Sequence, residues 1–224
     1  MSVLGYTNLL TRNSMPTTVL IATGATRGNV ANVSKTFNSL TANVIIVALA
    51  YNNLGGFGIL SDNLGNTYTM YNAYGGSQVF VRFFVCLNPI TSATHTITYN
   101  STNTAPGMAI LVDKRSRTPI MDHFNVGFAP YPTSGAISSI QPGSITPSAK
   151  GNLIVAAICT GTGGTPPDTI GFPVGWTSYG IGRTAGTNQG VYLGFIVQTI
   201  PAAINPTITS TNASIYGATI ISIK

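Results

Sequence analysis

The chain has 224 residues, of which 44% are hydrophobic and only 6% charged, with ten Lys and Arg against four acids for a net charge of +6. Charged residues make up roughly a quarter of ordinary soluble domains; here the acids are Asp62, Asp113, Asp122 and Asp168, and the histidines are His95 and His123. That leaves little from which to build proton-transfer or metal chemistry, so an enzyme is not expected. No run of about 18 consecutive apolar residues occurs, which excludes a membrane-spanning helix.

The opening residues, Met1-Ser2-Val3-Leu4-Gly5-Tyr6-Thr7-Asn8, lack the basic region and apolar core of a secretion signal, so export by that route is not expected. Residues 1–16 read as an N-terminal arm that could dock on a neighbour. Residues 17–118 form a first β repeat, with strands expected near 17–23, 43–50, 66–71, 78–87, 94–99 and 107–113. Runs rich in Val, Ile, Thr, Tyr and Phe, separated by Gly, Asn, Pro and Ser, suit pleated strands and tight turns. Residues 119–143, holding Pro119, Pro130, Pro132 and Pro142, read as a Pro-rich connection. A second β repeat follows over 144–224, with strands near 144–146, 152–160, 175–179, 189–199, 206–210 and 216–223.

The repeat rests on matched segments in one order, offset by about 110 residues. Asn43-Val44-Ile45-Ile46-Val47-Ala48 recurs as Asn152-Leu153-Ile154-Val155-Ala156-Ala157, and Gly65-Asn66-Thr67-Tyr68-Thr69 is echoed by Val174-Gly175-Trp176-Thr177-Ser178. Val79–Val85 pairs with Val191–Val197, Thr96-Ile97-Thr98 with Thr207-Ile208-Thr209, and Gly107–Val112 with Gly217–Ser222. The expected fold is all-β: an antiparallel sandwich or jelly roll built from two similar halves, either interleaved into one unit or standing as two sandwiches.

Candidate sites are few. A Ser–His–Asp arrangement would have to use His95 or His123; His95 alternates with apolar positions in Thr94-His95-Thr96-Ile97-Thr98 and is expected to point outward. Asp62-Asn63-Leu64-Gly65-Asn66 reads as a turn using Asn and Gly, with a calcium loop as the alternative. Gly161-Thr162-Gly163-Gly164 lacks the following helix and Lys-Ser/Thr of a phosphate loop, and reads as a loop tip. Cys86 and Cys159 sit in apolar runs without metal spacing and are expected as buried thiols. Neither metal nor cofactor is expected. Lys114, Arg115 and Arg117 form either a patch for an acidic partner or a solvated loop. Tyr68, Tyr71, Tyr74, Trp176 and Tyr179 offer an aromatic platform for a sugar or partner, or else divide between core and scattered surface. The scattered bases do not point to nucleic acid.

The order of an apolar strand, Asp62-Asn63-Leu64-Gly65-Asn66-Thr67-Tyr68, an aromatic strand, Thr96-Ile97-Thr98 and Ala109-Ile110-Leu111-Val112 resembles β-sandwich, jelly-roll-like modules of bacteriophage virion proteins and bacterial surface proteins. Asp62, Gly65, Asn66, Thr67 and Tyr68 match their turn, Ile220-Ile221-Ser222-Ile223-Lys224 matches their ending, and Pro119-Ile120-Met121-Asp122 resembles the loop after the first copy. The second copy departs, with Gly171-Phe172-Pro173 where the first has its Asp turn. The resemblance implies a structural virion component, such as a capsid decoration, head-fibre or tail-associated protein made in the host cytoplasm. It would assemble with other virion proteins or with copies of itself, for instance as a trimer. The alternative is a carbohydrate- or receptor-binding module for host attachment, with a host surface glycan as partner.

Overall fold

A computed structural model describes residues 19–27, 32–52, 58–71, 79–100, 106–128, 137–161, 169–181, 190–211 and 214–224. All regular structure among them is β. The first eight strands are β1 (Val19–Arg27), β2 (Asn32–Phe37), β3 (Val44–Asn52), β4 (Ile59–Asp62), β5 (Thr69–Tyr71), β6 (Val79–Leu87), β7 (His95–Asn100) and β8 (Gly107–Lys114). The second eight are β9 (Met121–Phe128), β10 (Ser139–Ile140), β11 (Asn152–Gly161), β12 (Ile170–Gly171), β13 (Thr177–Ile181), β14 (Gly190–Gln198), β15 (Ile208–Ser210) and β16 (Ser214–Ile223).

Each set of eight makes one five-stranded and one three-stranded antiparallel sheet. The first set is ordered β1-β8-β3-β6-β5 and β2-β7-β4; the second is β9-β16-β11-β14-β13 and β10-β15-β12. Adding eight to every label of the first set gives the second. This order, with 1-8-3-6 facing 2-7-4, is that of a jelly roll except that β5 pairs with β6 rather than with β4. No described strand pairs with a strand of the other half, so the halves do not interleave.

Side-chain alternation sets how the sheets stack. On β3, Val44, Ile46, Ala48 and Ala50 enter one core while Ile45, Val47, Leu49 and Tyr51 enter another. On β11, Leu153, Val155, Ala157 and Cys159 join the first of these, and Ile154, Ala156 and Ile158 enter a third. The core shared by β3 and β11 therefore lies between the two five-stranded sheets, and each three-stranded sheet caps an outer face. The result is four layers. Strands buried on both faces need apolar residues at every position, which is why Val44–Ala50 and Leu153–Ile158 show no polar alternation. Each fully buried Val, Ile or Leu contributes about 1.5–3 kcal/mol before entropy is counted, so the shared core binds the halves firmly. The Tyr179 hydroxyl of β13 also donates across it to the Ile110 carbonyl of β8.

Several expectations are corrected. The interval between the strands expected near 17–23 and 43–50 contains β2, and the Pro-rich connection contains β9 and β10. β2 buries Val33, so its sequence is mostly polar because its other face meets solvent. In β9 a register shift opposite Ser222 and Ile223 interrupts the alternation, which lets Met121 and Val126, five positions apart, both pack on the shared core. The strand expected at 144–146 is a single bridge, Ile145 to Ile204. Cys86 and Cys159 are buried thiols, as expected, and lie in different cores with no disulfide between them. The N-terminal arm lies outside the described residues.

Candidate functional site

The two jelly rolls end in corresponding loops, and these differ in chemistry. In the first half, β4 ends at Asp62 and the chain turns through Gly65, whose φ of 76° lies in the left-handed region that glycine tolerates. Asp62 Oδ1 accepts the backbone N–H groups of Leu64 (2.9 Å) and Asn66 (3.0 Å), which closes the turn. Its Oδ2 accepts from Asn66 Nδ2 (2.8 Å), the Tyr68 hydroxyl (2.8 Å) and His95 Nε2 (2.9 Å). Burial alone would push the Asp62 carboxyl up, but the hydrogen bonds from Asn66, Tyr68 and His95 hold it at about 2. Burial, then the bond to Asp62, pushes Tyr68 well above the usual phenol range. With both carboxylate oxygens occupied by protein donors, the turn reading is the one this geometry fits.

His95 is fully buried rather than outward-facing. On β7 it shares parity with Ile97 and Tyr99, which enter the core, while Thr96 and Thr98 face out. Its ring stacks on Phe37 at 4.9 Å, and its Nδ1 lies 2.9 Å from Ser39 Oγ. Ser39 Oγ in turn accepts from the Ser92 N–H (3.0 Å) and lies 3.1 Å from the Ser92 carbonyl. The connectivity is that of a Ser–His–Asp triad, with the imidazole reversed. In a hydrolytic triad the serine meets Nε2 and the carboxylate Nδ1; here Ser39 meets Nδ1 and Asp62 meets Nε2. In the neutral imidazole, Nε2–H donates to Asp62 and Nδ1 accepts from Ser39. Ser39 and His95 have no exposed surface, so a substrate carbonyl has no approach to the serine oxygen. The chain ties loops 38–43, 62–68 and 88–94 together. Asn66 completes the tie, its side chain donating to the Ile90 carbonyl and accepting the Ile90 N–H.

In the second half the corresponding turn uses Gly175, with φ of 90°. Phe172 stands where Asp62 does and Trp176 where Asn66 does; Pro206, two residues before β15, stands where His95 does. No polar tie forms from these residue types. Instead a groove of about 610 Å³ opens between residues 171–176 and 203–209. Phe172 and Trp176 are stacked 5.9 Å apart at 26°. Phe172 lies over Gly194 of β14, where an added Cβ would come within 2.3 Å of its ring. Along the other wall Asn205, Thr207 and Thr209 recur at every second position and are exposed. Gln141 donates to the Thr207 hydroxyl at 3.0 Å.

The remaining candidates are dispersed. Lys114 and Arg117 are exposed, but Arg115 is buried, its guanidinium donating to the Gly151 carbonyl beside Asp113. Arg115 therefore braces the two halves and is not offered to a partner. Burial raises the Asp113 carboxyl to about 7, against the pull of Arg115. Tyr179 lies in the shared core, not on a surface platform, and half-buried Tyr71 packs there against Phe124 at 5.5 Å. Of the described members of the aromatic set, Trp176 alone borders the groove. Tyr74, Asp168 and residues 162–164 lie outside the described residues. His123 contacts Asp122 at 2.9 Å, and Asp122 also accepts from Ser148, Asn152 and Ser222. Among the described residues no three His, Cys, Asp or Glu converge as metal ligands. Comparison with protein-family models, curated proteins and solved structures returned no match.

Proposed function

We propose that the protein is a non-enzymatic structural component of a bacteriophage virion, a capsid decoration, head-fibre or tail-associated protein, that acts through assembly contacts with other virion proteins and with copies of itself. One observation carries the reading. The outward face of the first three-stranded sheet is a three-by-three array without an ionisable side chain: Asn32, Ser34 and Thr36 on β2, Asn100, Thr98 and Thr96 on β7, and Ile59 and Ser61 on β4 with Asn63 just after it. Ser34 bonds Thr98 at 2.9 Å and Thr36 bonds Thr96 at 2.8 Å, so the hydroxyls already have partners before any neighbour arrives. Covering such a face desolvates no charge, and charge depletion at the centre is a mark of protein interfaces. Ile59, 71% exposed, supplies an apolar anchor.

Light scattering at physiological salt tests this. A defined closed oligomer, such as a trimer, or co-sedimentation with phage shells is expected; a monomer that binds no shell would overturn the reading.

A further inference from the structure

The groove beside Trp176 is built differently from its counterpart in the first half, and the difference has chemical content. At the first mouth Asp62, Asn66, His95 and Ser39 consume one another's hydrogen-bonding groups and seal the space. At the second, Phe172 and Trp176 replace the carboxylate and amide, Pro206 replaces the imidazole, and the space stays open.

The two walls of the opening are unlike. One is aromatic and apolar, formed by the stacked Phe172 and Trp176 with exposed Val174. The other is the amide and hydroxyl row Asn205, Thr207 and Thr209, at every second position leading into β15. None of the described lining residues is ionisable. A ligand that fits must be neutral, with hydroxyls on one edge and a C–H face on the other. A pyranose ring has that shape: its axial C–H groups lie on an aromatic face while its equatorial hydroxyls meet amides and hydroxyls at the rim. A volume of about 610 Å³ falls within the range of small-ligand sites and holds a short oligosaccharide. A proline-rich peptide would use the aromatic wall but would leave the polar row unmatched.

We propose that this groove binds a neutral oligosaccharide, with Trp176 as the stacking platform and Asn205 and Thr207 as the hydrogen-bonding row. The proposal is independent of the assembly reading, since monomer and oligomer alike would carry the groove.

Trp176 is the sole tryptophan, so its fluorescence reports on the site directly. The intact protein is titrated with maltotriose, cellotriose, chitotriose and lacto-N-tetraose, with sialyllactose and a decaproline peptide as contrasts. A saturable change with at least one neutral sugar is expected, weakened at least tenfold by Thr207→Val and by Asn205→Ala. These two exposed substitutions leave the core intact; Trp176→Ala, followed by calorimetry, should abolish binding if the variant keeps its fold. Silence with every neutral sugar, a response to sialyllactose or decaproline only, or sugar binding that survives both Thr207→Val and Asn205→Ala would each overturn the proposal.

Discussion

Asp62 and Phe172 each stand three residues before a glycine in the left-handed conformation, Gly65 and Gly175, at the turn joining the edge strands of the two sheets in each half. The backbone does the same thing twice. The side chain at that point decides what the mouth becomes: a carboxylate recruits five donors and closes it, whereas an aromatic ring lies down on Gly194 and leaves a groove.

Asp62→Ala should destabilise the fold by on the order of 3 kcal/mol, because it strands buried donors on His95, Tyr68 and Asn66. Since the folded carboxyl is held at about 2, below its unfolded value near 3.9, its stabilisation is present above that unfolded value and is lost as pH falls towards 2. Denaturant titrations between pH 5 and pH 2 should show a shallower acid loss for Asp62→Asn than for wild type.

Asp113 should act in the opposite sense. Its folded carboxyl is raised to about 7, so its contribution is full below the unfolded value near 3.9 and is lost as pH rises through 7. Asp113→Asn should remove most of the decline in stability between about pH 4 and pH 7. The slope of unfolding free energy against pH in that window is the quantity to measure.

Gly194→Ala should cost about 1–3 kcal/mol, because the added methyl collides with the Phe172 ring and the ring must move. Trp176, stacked on Phe172, should change its emission maximum in the folded variant. An unchanged spectrum and unchanged melting temperature would contradict the packing described.

Tyr179→Phe removes the hydroxyl that reaches the Ile110 carbonyl across the shared core. A loss of roughly 1 kcal/mol is expected. Unfolding should remain a single transition in wild type and variant alike, because Val155, Leu193 and Ile221 of one half pack with Ile46, Phe83 and Leu111 of the other. Calorimetry would reveal two transitions if the halves melted apart.

Ser34→Lys combined with Thr98→Lys places two charges on the uncharged outer face of β2 and β7. Both positions face solvent or partly so, and the fold should lose less than about 1 kcal/mol. Self-association or shell binding should fall at least tenfold, as read by analytical ultracentrifugation.

The strands of the large sheets were legible because burial on both faces leaves continuous apolar runs such as Val44–Ala50. In the small sheets the central strands β7 and β15 were legible but the flanking β2, β4, β10 and β12 were not: β2 buries Val33 and half-buries Phe37, and its alternate residues carry no apolar signal. β9 hid behind its register shift. The turn at Asp62 could be read from Asn and Gly, and the inward aim of His95 was available from its parity with Ile97 and Tyr99. Ser39 gave no local sign, since its contact with His95 spans 56 positions of chain. Trp176 stood out as an aromatic, but its partnership with Phe172 over Gly194 depends on strand pairing that no short motif encodes.

A four-layer stack also works as an insulator. The sealed mouth and the open one belong to outer layers on opposite sides of two large sheets, so a residue changed at 172–176 or 203–207 touches nothing that the Asp62 chain supports. One tip can be rewritten for new ligands while the other goes on holding its loops in place.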